Sequence, residues 1–246
     1  MISVILNVYK RPYSLEEQIA AVQSQEGFDI KSEDIHVWYN ATPGVEHCLP
    51  KDPAINTYRC NWNTKFFGRF TLPLLCKTPY IALFDDDVIP GKLWFKNCID
   101  TMKTHPGIMG TTGVILRKYG YTGCTKTGWN MNPSPSPTMV DLVGHAWFFK
   151  QEWSKYMWLE EPPSWDNGED MFFSYAAKKH GIHTYVPPHP PNNVELWGNV
   201  PDRSHGWGSD AAANYKHVKG HGRIRNEVVR KLIDKGWQTV NNIKSR

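Results

Sequence analysis

Three carboxylates stand side by side in FDDDVIP, Phe84 to Pro90, directly behind the apolar run YIAL. Adjacent like charges repel, so a fold either exposes them to solvent or gives them a cation to share. A hard divalent ion such as Mn2+ or Mg2+ takes oxygen ligands and commonly sits between one or two protein carboxylates and a substrate diphosphate. At the end of a strand facing a nucleotide crevice, Asp85 to Asp87 can hold such an ion, with Asp87 and Asp85 as the ligands. The ion would then act as a Lewis acid on a departing nucleoside diphosphate. A solvated acidic turn is the plain alternative, and an Asp-x-Asp by itself has many chance matches. Its position behind YIALF is what singles this one out.

A second acidic signal lies in WDNGEDMFFSYAAKKHGI, where Asp166 can cap a helix that starts near Glu169 and stops at Gly181. Glu169 and Asp170 then occupy the first turn, where two acids also simply complement the helix dipole. The pair follows an aromatic, Pro-rich loop, EEPPSW, against which a sugar can pack. A carboxylate there can accept a proton from an acceptor hydroxyl or stabilise positive charge at an anomeric carbon, and Asp170 is the candidate. Late in the chain, Arg225 offers a planar fork for phosphate oxygens, although a surface arginine in a basic run reads the same way. Three histidines, His205, His217 and His221, also lie near the end of the chain, and the last stands four positions before Arg225, with His205 in a Gly-rich, aromatic loop.

These groups need elements to position them. ISVILNV, Ile2 to Val8, is short and β-branched and predicts a buried first strand. Ser14 with Glu17 makes a capping box for a helix whose buried face is Leu15, Ile19 and Val22. IHVWYN, Ile35 to Asn40, predicts a second strand, YIALFDDD a third, and Asn63 to Leu75 a helix between them. Strands alternating with helices imply an α/β fold with a mainly parallel sheet, whose ligands bind beyond the carboxyl ends of the strands. Asn7, Tyr9, Arg11, Asn40 and Asp85 to Asp87 should converge there. The stretches from Tyr119 to Pro137 and from Pro187 to Gly208 are rich in turn formers and aromatics and predict long loops over the crevice.

Composition bounds the rest. With 246 residues, 40% of them hydrophobic and 21% charged, the chain can bury a sizeable core and is not of a disordered class. The net charge of +4, with basic residues scattered until the end, gives no phosphate-backbone footprint, so nucleic acid is not expected as a partner. Five cysteines, Cys48, Cys60, Cys76, Cys98 and Cys124, show no metal-type spacing and an odd count, which points to a reducing compartment. The opening apolar run is too short to span a bilayer and lacks a leader's basic start or cleavage site. The expectation is a cytoplasmic protein without a transmembrane segment, or a domain cut from a larger one.

Taken in order, SVILNVYKRP, FDDDVIP, VGHAWFFK and NGEDMFFSYAAKKHG resemble a GT-A glycosyltransferase, and within that superfamily the exostosin-like family. On this resemblance Tyr9, Arg11, Asn40, Asn63, Arg69, Asp85, Asp86 and His221 fall on the family's donor-binding positions, and the metal ligands on Asp85 and Asp87. DLVGHAWFF corresponds to the apolar segment before the acceptor site, and Glu169, Asp170 and Arg225 to the catalytic positions. The resemblance implies one GT-A domain over residues 1–246, with 1–90 as the nucleotide-binding half and 91–246 as the acceptor half with a C-terminal helix. It implies metal-dependent transfer, with retention, from a UDP-sugar to a glycan or other hydroxyl acceptor. Two positions depart from it: the family often has cysteines where this chain has Gly168 and Val228, which again fits a reducing cytosol.

The readings that compete are few. An inverting GT-A enzyme of the family-two kind would use Asp170 as general base. A lectin-like sugar-binding module would explain the tryptophans but not two acidic clusters facing one crevice. An aspartate-nucleophile phosphatase would carry its Asp-x-Asp on the first strand, and a two-metal nuclease would need a basic groove that the charge distribution does not supply.

Overall fold

The computed structural model describes residues 1–41, 48–117, 120–128, 132–198 and 219–244. His205 and His217 lie outside these, as do parts of both long loops. The chain begins with β1 (Ile2–Val8), α1 (Leu15–Gln23), β2 (Ile35–Asn40), β3 (Asn56–Cys60) and β4 (Tyr80–Phe84). It continues with α2 (Trp94–Thr104), β5 (Gly107–Met109), β6 (Thr112–Arg117), β7 (Gly120–Thr127), β8 (Thr138–Val140), β9 (Leu142–Gly144) and β10 (Ala146–Lys150). After these come α3 (Glu169–Lys178), β11 (His183–Val186), α4 (His221–Asp234) and α5 (Val240–Lys244).

Eight strands form one sheet in the order β3-β2-β1-β4-β10-β5-β11-β8, and β7-β6-β9 form a second, antiparallel sheet. β3, β2, β1 and β4 are mutually parallel, while β10 runs antiparallel to both β4 and β5. Every residue of β1 is buried, because it lies between two parallel neighbours, β2 and β4, and packs against α1 and the 3-10 helix Gly68–Leu75. That burial explains an unbroken apolar strand without alternation. The aromatic core gathers around β10, where Trp147 meets Phe70 at 5.3 Å and Phe149 meets Phe173 of α3 at 5.1 Å, both edge to face.

The first two strands occupy their expected bounds, and β4 ends at Phe84 with the triplet in the turn beyond it. Four local expectations need correction, the first being the loop from Tyr119, where Gly120–Thr127 forms β7 and pairs with β6. Ser14 precedes α1 but makes no capping bond; its Oγ instead donates to the Arg11 and Asp86 carbonyls, joining α1 to the acidic turn. The predicted helix from Asn63 is a 3-10 helix spanning Gly68–Leu75, with Pro73 inside it, preceded by turns. A 3-10 turn tolerates the proline that an α-helix interior would reject. Asp166 does not cap α3: Gly168 does, and Asp166 is exposed and pairs with Lys65 at 3.6 Å. β3 was not anticipated, since its mixed NTYRC sequence lacks an apolar pattern.

Candidate active site

The carboxyl ends of β1, β2 and β4 open on one edge of the sheet, and the antiparallel β10 begins on that same edge. Four non-glycine residues with left-handed backbone sit along it: Lys10 after β1, Ala41 after β2, Lys65 in the following loop, and His145 before β10. Such conformations cost on the order of 1–3 kcal/mol each and collect where a site dictates the backbone.

The three aspartates divide their work. Asp86 turns inward, accepts from Arg11 Nη1 at 2.6 Å and from the Tyr9 N–H at 3.2 Å, and is buried. Burial pushes its carboxyl up to about 7, against the pull of Arg11. Asp87 shares Arg11 with Asp86, while Asp85 is held by Arg69. Together with His145 they bring one donor atom each within 4.8 Å of one another. Asp85 Oδ1 is held by Arg69 Nη1 and Asp85 Oδ2 lies 3.8 Å from His145 Nδ1, while Asp87 is 3.4 Å from Arg11 Nη1. Gln18 of α1 donates to the Asp85 and Val88 carbonyls at 2.7 and 2.8 Å, fixing the turn from below.

Two carboxylates and an imidazole on facing segments form a donor set that suits a divalent ion. A single ion with ligands at roughly 2.1 Å spans at most about 4.2 Å, so these donors, which lie within 4.8 Å of one another, would have to draw together to share one.

The expected nucleotide side is arranged differently from a row of free contacts. Asn40 accepts from the Thr64 N–H and hydroxyl and donates to Asn63 Oδ1 and the Lys65 carbonyl. Asn63 in turn donates to the Tyr9 hydroxyl at 3.1 Å. Asn40, at 2% exposure, therefore shapes the loop, while Tyr9 and Asn63 stand nearer the opening.

Across the crevice, Gly168 starts α3 with φ 93, and a Cβ there would lie 2.8 Å from Val228 Cγ1 of α4. Glycine lets the two helices close together. Positions 168 and 228 thus adjoin. Three residues before Val228, Arg225 donates to Asp170 Oδ2 at 2.6 Å and to Asn167 Oδ1 at 3.0 Å, and its guanidinium stacks 4.2 Å from the Tyr121 ring centre. Asn226 pins α4 to β7, accepting from the Tyr121 and Thr122 N–H groups and donating to the Thr122 hydroxyl. His221 opens α4; burial and the neighbouring Arg225 lower its pKa, and it is outside the Asp85, Asp87 and His145 group.

The two sides are joined through Arg69. It is buried, packed 5.1 Å from the Trp147 ring centre, and it reaches Glu169 Oε1 at 3.4 Å as well as Asp85. Glu169 is itself buried, and burial together with Asp170 pushes its carboxyl up to about 8. Trp165 is half exposed and packs edge to face on Phe67 at 5.0 Å, so the EEPPSW loop does present aromatic surface beside α3.

No protein-family model matches the chain, and no curated protein matches it. Among solved structures it superposes on residues 1–349 of S. aureus TarS, a glycosyltransferase, with a TM-score of 0.53 and 12% sequence identity. The chain shares the fold of that glycosyltransferase. The match covers 77% of this chain but only 58% of TarS 1–349. At that identity the likeness carries architecture alone, a mixed α/β arrangement with a large, mostly parallel sheet flanked by helices. Nothing found in the comparisons singles out the exostosin-like family. Among the described residues no helix is long and apolar enough to cross a membrane.

His145, Gln18, Tyr121 and Asn226 escaped sequence reasoning. Only His145 left a trace, as the one polar residue inside VGHAWFFK able to ligate an ion.

Proposed function

We propose that this chain transfers a sugar from a nucleotide sugar, UDP-linked, to a hydroxyl of a glycan or similar acceptor, as one GT-A unit with its donor half in residues 1–90. The observation that carries the reading is Arg69, which contacts both Asp85 of the Asp85, Asp87 and His145 cluster and Glu169, the chain neighbour of the Asp170 that pairs with Arg225. Asp85 and Asp87 would hold Mn2+ or Mg2+, which neutralises the diphosphate as it departs. Arg11 and Asp86 brace that turn, and Tyr9, Asn63 and the Asn40-ordered loop line the nucleoside side.

In the reaction the acceptor oxygen bonds to the anomeric carbon, the bond to the diphosphate breaks, and the hydroxyl proton passes to the departing diphosphate oxygen. Asp170 already accepts from Arg225 through Oδ2 and from the Met171 N–H through Oδ1. That engagement fits a fixed negative charge beside the reacting sugar, and hence retention. An inverted product anomer, read by NMR, would instead make Asp170 the general base.

The test is calorimetric titration of UDP with Mn2+ and then with EDTA, with GDP as the base control. Micromolar binding of UDP that needs the metal and is lost in Asp87→Ala is expected. Absence of nucleotide binding under every condition would overturn the donor-site reading in favour of a sugar-binding module.

A further inference from the structure

We infer that His145 is a third protein ligand to the donor-site ion and that its imidazole sets a preference for Mn2+ over Mg2+. The inference rests on the donor-site reading and adds to it a residue and a selectivity.

His145 reaches the acidic turn from another strand. The β4–β10 register pairs Ala146 with Phe84, and the Asp85 N–H donates to the His145 carbonyl at 2.9 Å, so the two backbones are locked side by side. Within that lock, Nδ1 lies 3.8 Å from Asp85 Oδ2, and one donor from each of Asp85, Asp87 and His145 falls within 4.8 Å of the others. Arg69 holds the opposite oxygen of Asp85 and thereby turns Oδ2 toward His145.

The backbone at His145 has φ 65, a conformation glycine would adopt without strain. Its side chain is 25% exposed, placed at the crevice and not lost in the core.

The chemistry follows from the donor types. Mg2+ favours all-oxygen surroundings and sheds water reluctantly, whereas a first-row transition ion takes an imidazole readily. Two carboxylates with one imidazole therefore favour Mn2+ among the ions common in diphosphate sites.

Mn2+ binding in the presence of UDP would be followed by EPR of the free aqueous ion, with Mg2+ as competitor. Pulsed EPR of the bound ion would report any ligating nitrogen. The wild type is expected to show 14N modulation from an imidazole, a readout that needs no variant. His145→Gly, which suits the left-handed backbone, is expected to lose that modulation and to bind Mn2+ roughly tenfold more weakly, with Mg2+ binding changed less than about threefold. Bound Mn2+ without nitrogen modulation, or modulation that survives in His145→Gly, would overturn the inference and leave the donor site standing. If the wild type with UDP binds no Mn2+, the ion site itself falls and this inference falls with it.

Discussion

At the residue scale, the chemistry divides between groups that touch substrate and groups that hold them. On the proposed function Asp170 belongs to the first kind; its carboxylate sits 2.6 Å from Arg225 and is not one of the Asp85, Asp87 and His145 donors. Asp170→Asn should therefore keep metal-dependent UDP affinity while turnover falls by roughly 10^2 to 10^4, the scale of positioned acid-base or electrostatic groups. Calorimetry beside a UDP-release assay separates the two, and near-normal turnover would remove Asp170 from the chemistry. Asn40 is of the second kind. Its residue type and its place at a strand end were readable, but its hydrogen bonds to Asn63, Thr64 and Lys65 were not, since those partners are 23 to 25 positions away.

At the element scale, the site depends on how closely α3 and α4 approach. Gly168 is the contact point, with φ 93 and no room for a Cβ beside Val228. Gly168→Ala adds both backbone strain and overlap, so a loss of about 1–3 kcal/mol is expected from chemical denaturation. Because Asp170 and Arg225 flank that contact, turnover should drop more than UDP binding does. Equal stability and activity would mean that the helices have slack here. The acid pair was legible as the first turn of a helix, yet the sequence pointed to Asp166 as the cap. Local preference favoured the aspartate; packing against α4 required the glycine.

At the scale of the whole molecule, Arg69 links Asp85, in the turn beyond β4, to Glu169 at the start of α3. Glu169 keeps its proton up to about 8 in the folded protein, mainly because it is buried, against an ordinary value of 4.5. Unfolding therefore releases that proton anywhere in this window, and stability should fall as pH rises from about 4.5 to about 8. Thermal melts at about pH 5 and about pH 9 should show the fall, and Glu169→Gln, which cannot ionise, should make it smaller, the remainder coming from Asp86, whose carboxyl is pushed up to about 7. A slope identical in wild type and variant would assign the effect to other groups.

By itself the sequence determined the strands β1 and β2, the end of β4, the acidic turn beyond it and the acidic start of α3. Those features are written in runs of neighbouring residues, where apolar continuity, β-branching and charge decide conformation locally. Only the tertiary structure decided that Asp86 and Asp87 share Arg11 while Asp85 and Asp87 gather with His145, and that Arg69 serves both Asp85 and Glu169. These choices depend on the β4–β10 register and on a pairing across 100 positions, where the partners are set by how sheets and helices pack and no local pattern carries the information.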